Sequence, residues 1–237
     1  MILAAAVACL DRVLEGPLVL ATGLGDARSL SPDGTGGMYV ATGEGLVRVG
    51  GEGEIARIAD GAKVAVTTHP GRLYLLEAGR VRWEGGEADA AGVVDVLAGW
   101  DGELLLLGPH ALEVLDPATG ARATRWKVDG RARAVALGPP GQVLVVTDDA
   151  LWSVGPVGAD RLAEGLGDPR GAATDTRGRV WVVDGEVLYR VDAGPRVEVA
   201  RWLGDVRDVH VGTGGLLLAE NLYLVTGDGT LSYLQPP

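Results

Sequence analysis

Five times along this 237-residue chain a short apolar run is followed by a second one that starts eight residues later. The first members are Met38-Tyr39-Val40, Leu73-Tyr74-Leu75, Leu104-Leu105-Leu106, Val143-Leu144-Val145 and Val180-Trp181-Val182; their partners start at Leu46, Val81, Leu112, Leu151 and Leu188. Turn formers fill the gaps, such as Thr42-Gly43-Glu44-Gly45 and Asp184-Gly185-Glu186. Runs this short, joined by so few residues, read as antiparallel hairpins. No segment keeps a helical period, and the 38 glycines interrupt every candidate.

A further turn precedes each hairpin: Pro32-Asp33-Gly34, His69-Pro70-Gly71, Trp100-Asp101-Gly102, Pro139-Pro140-Gly141 and Thr176-Arg177-Gly178. Before that turn lies another apolar strand, such as Ala134-Val135-Ala136, and after the hairpin an alternating segment, such as Glu54-Ile55-Ala56-Arg57-Ile58. Four short antiparallel strands per repeat make one blade of a β-propeller. Arg28, Lys63, Arg133, Arg170 and Arg207 mark equivalent repeat starts at spacings of 35, 70, 37 and 37, and the 70 holds two blades, with Val94 at the third blade's position. Six blades of about 36 residues result.

The expectation is an all-β, six-bladed propeller over residues 17–237, preceded by an N-terminal segment, 1–16. Pro17-Leu18-Val19-Leu20-Ala21-Thr22 matches an outer strand, so the N-terminal strand should complete the last blade and close the ring. Asn221–Gly229 echoes Gly37–Gly45, which leaves Leu216-Leu217-Leu218 to the sixth inner strand or to an insertion.

Charge and cysteine content narrow the partners. With 21 Lys and Arg against 32 Asp and Glu, the net charge of −11 repels nucleic acid and anionic membrane. One cysteine, Cys9, allows no intrachain disulfide. No apolar run approaches the roughly 18 residues of a transmembrane helix. Met1–Leu10 is apolar and ends at Ala6-Val7-Ala8-Cys9, which resembles a bacterial lipoprotein cleavage site without its basic leader. It reads as an apolar segment packed on the domain or as the remnant of an export signal, so cytoplasm and export both stay open.

Gly167-Asp168-Pro169-Arg170-Gly171-Ala172-Ala173-Thr174-Asp175, followed by Gly178-Arg179-Val180-Trp181-Val182-Val183-Asp184, resembles the NHL-repeat consensus. The same pattern is loosely similar to gluconolactonase and strictosidine-synthase-like propellers. The resemblance implies the fold and leaves function open, because such propellers host enzymes and scaffolds alike. Glu15-Gly16-Pro17 matches a Glu-Gly-Pro of gluconolactonase-like proteins whose Glu ligates a catalytic metal. Here it precedes an outer strand, and the chain has a single Asn, Asn221, where that family uses several. It reads as a chance tripeptide.

Two constellations carry the candidate chemistry. Arg28, Lys63, Arg133, Arg170 and Arg207 should ring one mouth of the central channel, either as an anion site or paired with carboxylates such as Asp26, Asp168 and Asp205. Asp95 and Asp208 should face each other across the axis, with His210 two residues beyond Asp208 on the same strand face. They are solvated channel polars, or ligands for Ca²⁺ or Mg²⁺ with His210 as general base on metal-bound water. Their equivalents in the other blades are Ser29, Val64, Ala134 and Gly171. Trp100, in a turn, is the tryptophan placed for a surface role.

The sequence-based expectation is a non-enzymatic propeller that binds a protein, a peptide or a small anionic ligand, with no cofactor. The alternative is a metal-dependent hydrolase or lactonase with a divalent cation in the channel.

Overall fold

The computed structural model describes residues 17–69, 72–191, 196–201, 203–213 and 220–235. Cys9, the Glu15-Gly16-Pro17 triplet up to Gly16, and Leu216-Leu217-Leu218 lie outside them. The described residues form six four-stranded antiparallel sheets and no helix. Neighbouring inner strands touch all the way round, from Ala27–Pro32 through Ala65–His69, Asp95–Ala98, Ala132–Leu137 and Pro169–Thr174 to Val206–Thr213, which returns to Ala27–Pro32. This is a closed six-bladed β-propeller.

The sixth blade joins the two ends of the chain. Leu18–Ala21 pairs with Leu231–Leu234, placing Leu18 opposite Tyr233 and Val19 opposite Ser232. The ring is thus fastened by a strand from the first part of the chain, as the outer-strand pattern of Pro17–Thr22 predicts.

Burial explains the pattern of apolar runs. The second strand of each blade lies between two other strands and between two neighbouring blades, so both of its faces are covered. Leu104, Leu105, Leu106 and Leu107 are accordingly all fully buried. Outer strands meet solvent and carry charges: Arg122–Lys127 is mostly exposed. The core is divided into seams between blades; one of them packs Trp181 and Val183 of the fifth blade against Val209, Leu222 and Leu224 of the sixth. Hairpin turns hold the register. Between Glu77 and Arg80, which pair directly, Ala78 and Gly79 take φ values of 47° and 73°. Two positive values in a two-residue loop match the right-handed twist of the strands on either side.

Candidate active site

At one end of the channel the inner strands begin with β-bulges. In four blades one residue is skipped in the pairing with the second strand: Arg28, Arg133, Arg170 and Arg207. A bulge re-aims its extra side chain, and here it turns each guanidinium towards carboxylates. Arg28 pairs with Asp26 at 2.7 Å. Arg133 donates to Asp148 at 2.7 Å and to Asp168 at 2.8 Å. Arg170 holds Asp168 at 2.6 Å and Asp205 at 2.9 Å, and Arg207 holds Asp205 at 2.6 Å. Lys63, buried, pairs with Glu77 and donates to the Asp60 carbonyl. Hydrogen bonds from Arg170, then from Arg133, hold the Asp168 carboxyl below its usual range. All five cations singled out in the sequence therefore have a counter-charge.

One step further in, a single register position recurs round the ring: Ser29, Ala65, Asp95, Ala134, Gly171 and Asp208. The sequence alignment put Val64 where the structure has Ala65, because Lys63 lies two residues before that position whereas each of the four arginines lies one before it. An inner strand has no neighbour on its channel side, so N–H groups there need side-chain acceptors. Asp208 accepts from its own Val209 N–H at 2.8 Å and from Leu30 of the next blade at 2.9 Å. Asp95 repeats this three blades away, accepting from Val96 and from Val135 of the next blade, both at 2.8 Å. Ser29 receives Val66 N–H at 3.4 Å, and Thr67 receives Ala98 N–H at 3.0 Å. Gly171 leaves space for Asp208: a Cβ there would lie 3.0 Å from its Oδ1.

Asp95, Asp208 and His210 line one cavity of about 30 Å³ on the axis, room for a water molecule. Burial, then the Asp208 charge, pushes the Asp95 carboxyl up to about 8. Burial also raises Asp208 to about 7 against the N–H bonds that favour its charged form. Like charges this close and this enclosed retain about one proton between them near neutral pH. Burial pushes His210 down to about 4, so its imidazole is neutral.

Beyond His210 the channel widens into a cavity of about 670 Å³, and His210 lines both spaces. Leu137, Pro139, Pro140 and Val211 supply apolar wall, with Trp100 among the lining residues. Trp100 is 48% exposed, and its Nε1 donates to the Gln142 carbonyl at 3.2 Å, which pins a third-blade ring to the fourth blade. Asp175 fixes another part of the rim, accepting from Arg177 and Arg179 N–H at 3.0 and 2.9 Å and from Trp181 Nε1 at 3.2 Å.

A Ca²⁺ site takes six to eight oxygen ligands, and Mg²⁺ demands near-octahedral geometry. Among the described residues no three His, Cys, Asp or Glu side chains, Asp95, Asp208 and His210 included, are grouped so as to hold a metal ion. Both oxygens of Asp95 and of Asp208 already accept backbone N–H groups, and those inward dipoles oppose a cation. The residues present do not fit a resident divalent ion. Among the described residues no helix is long and apolar enough to cross a membrane.

No family model matches the sequence, and no curated protein matches it. Solved structures match its fold. A gluconolactonase from Xanthomonas campestris superposes with a TM-score of 0.77 at 13% identity, over 99% of this chain and 94% of that one. Virginiamycin B lyase from Staphylococcus aureus gives 0.65 at 10% identity, over 94% and 99%. The PQQ-bound aldose sugar dehydrogenase of Streptomyces coelicolor gives 0.67 at 16%, over 92% and 96%. Likeness at these identities is likeness of fold. These neighbours overturn the expectation of a non-enzymatic binding propeller, because they include a gluconolactonase, a lyase and a dehydrogenase. They favour the hydrolase or lactonase alternative.

Proposed function

We propose that the protein is a hydrolase that opens a small lactone ring in the apolar mouth of the channel, with His210 as general base. The observation that carries this reading is the position of His210. Among the described residues it is the one titratable side chain that lines both the roughly 670 Å³ mouth and the axial cavity of the two carboxyls. Burial keeps it neutral above about pH 4, and it has no hydrogen-bond partner among the described residues. A neutral imidazole accepts a proton from water as the water oxygen bonds to the lactone carbonyl carbon. The ring acyl C–O bond then breaks, and the proton returns to the leaving alkoxide, giving a hydroxy acid. Asp208, two residues away on the same strand face and so about 7 Å distant, favours the transient imidazolium. A catalytically inactive histidine-to-alanine form of the virginiamycin B lyase has been solved with quinupristin, which is consistent with histidine chemistry on this fold.

A pH-stat assay on a panel of γ- and δ-lactones tests the proposal. The wild-type protein should open at least one of them, and His210→Ala should lower the rate roughly 10²-fold or more with an unchanged unfolding midpoint. Activity should survive treatment with EDTA. Failure to open any lactone, or a His210→Ala protein as active as wild type, would remove the reading. Activity lost to EDTA and restored by Ca²⁺ would take the step away from His210.

A further inference from the structure

The mouth above His210 has a chemistry of its own, and it bears on what can enter. Its polar side chains are few, and several are already engaged. The Asp175 side chain is fully buried, with its oxygens given to the rim turn, Arg179 and Trp181. Thr176 donates to Glu220 of the sixth blade, and the Trp100 Nε1 is held by the Gln142 carbonyl. What remains facing the cavity is largely apolar, Leu137, Pro139, Pro140, Val211 and the Trp100 ring, beside two polar groups, His210 and the Thr174 hydroxyl, which is buried without a hydrogen-bond partner among the described residues.

Resting on the lactone-opening reading, we infer that the substrate is an apolar lactone, one with an alkyl or aryl substituent, and that Trp100 is its specificity-determining platform. A polyhydroxylated lactone would bring several hydroxyl groups into a space with few partners for them. Each buried hydroxyl left without a hydrogen bond weakens binding by roughly one to two orders of magnitude, whereas each buried CH₂ of an alkyl group strengthens it about fourfold. The pinned Trp100 ring adds a flat apolar face at low entropic cost, since its hydrogen bond already fixes its orientation. Proline walls are equally rigid. The mouth is preorganised for an apolar guest and has little to offer a polyol.

Two measurements test this separately from the reaction. In the first, kcat/KM for δ-decalactone and dihydrocoumarin is compared with that for glucono-δ-lactone. The apolar pair should exceed the polyol by about tenfold or more, the scale on which one or two well-placed apolar groups discriminate. Trp100→Ala should raise KM for the apolar substrates about tenfold with kcat nearly unchanged, and Trp100→Phe should restore most of the loss. In the second, calorimetry follows binding of δ-valerolactam carrying a pentyl group, which lacks the scissile ester, to wild type and to Trp100→Ala. Binding weakened by Trp100→Ala upholds the apolar mouth even if no lactone is opened, in which case only the catalytic reading falls. Preference for glucono-δ-lactone, or apolar binding indifferent to Trp100→Ala, overturns the inference while leaving lactone opening intact.

Discussion

The two ends of the channel are made from the same six strands and could hardly differ more. At the strand starts, bulged arginines and the aspartates around them form a charge-balanced clamp. At the strand ends, apolar side chains and a neutral histidine surround an open mouth. Between them lie two carboxyls whose oxygens are given to backbone N–H groups. A propeller joins its blades where chemistry is not needed and leaves space where it is. The clamp ties blade to blade through charge, because Asp168 and Asp205 each hold arginines of two successive blades. The mouth is held by backbone turns and a few cross-blade hydrogen bonds, and apolar side chains make most of its wall.

The largest stability effect is expected between the two ends. Asp95→Ala removes the acceptor for Val96 and Val135 N–H, and Asp208→Ala does the same for Val209 and Leu30. Each change should cost about 2–6 kcal/mol, from two buried donors at about 1–3 kcal/mol each. Urea unfolding of the single variants measures it. A loss below about 1 kcal/mol would mean that channel water replaces the carboxyls and that the ring does not depend on them.

A smaller effect separates the carboxyls from the histidine by pH. The folded pKa values of Asp95 and Asp208, about 8 and about 7, lie above the ordinary 3.8. The folded protein therefore binds more protons than the unfolded chain between pH 4 and 8, and stability from this pair falls across that whole window and levels off above pH 8. His210, lowered to about 4 from 6.5, acts in the opposite direction, losing stability as pH falls from 6.5 towards 4. Above pH 6.5 only the carboxyl effect remains. The stability of wild type should decline from pH 6.5 to 8.5 more steeply than that of Asp95→Asn, by roughly 1 kcal/mol for each pKa unit no longer crossed. Parallel curves for the two proteins would show that the pair carries no buried charge.

Much of this was legible in the sequence, and what was not has a physical reason. The eight-residue offset between Met38 and Leu46, repeated four more times, gave the hairpins, because a strand covered on both faces must be apolar throughout. Pro17–Thr22 announced ring closure by its likeness to an outer strand. Asp95 and Asp208 follow from repeat position and His210 from its place two residues beyond Asp208 on the same strand face, and the structure brings all three to one cavity. The register was hidden: the 35-residue spacing from Arg28 to Lys63, against 37 from Arg133 to Arg170 and from Arg170 to Arg207, is a faint trace of it. Lys63 lies two residues before the channel position, so Ala65, and not Val64, takes it. The N–H acceptors Ser29 and Thr67 were also missed, since a residue's hydrogen bond to the next blade depends on ring geometry that no local pattern encodes. Trp100 was noticed for lying in a turn, but its anchor on the Gln142 carbonyl joins residues 42 apart. The forward links from Arg133 to Asp168 and from Arg170 to Asp205 have the same character, each spanning 35 residues.

The smallest effects lie in the clamp, and they grade the comparison within one end. Arg170 bridges two aspartates, one from its own blade and one from the next, and is 26% exposed at the side chain; among the described residues Arg28 has one carboxylate, Asp26, two residues away, reaches the next blade through the uncharged Lys63 carbonyl at 3.5 Å, and is 37% exposed. Surface pairs contribute about 0–1 kcal/mol, towards the upper end when several charges form a network. Arg170→Ala should therefore cost about 1 kcal/mol and Arg28→Ala a few tenths. Raising the salt from 0.05 to 1 M shortens the screening length from above 10 Å to about 3 Å, so the difference between the two variants should shrink. Thermal or urea unfolding at both salt concentrations measures this. If the two arginines cost the same at low salt, the links between blades add nothing to the pairs within them, and the clamp is a set of separate ion pairs with no ring behaviour. If Arg170→Ala costs more and the excess disappears in salt, charge is what joins the last three blades at the closed end.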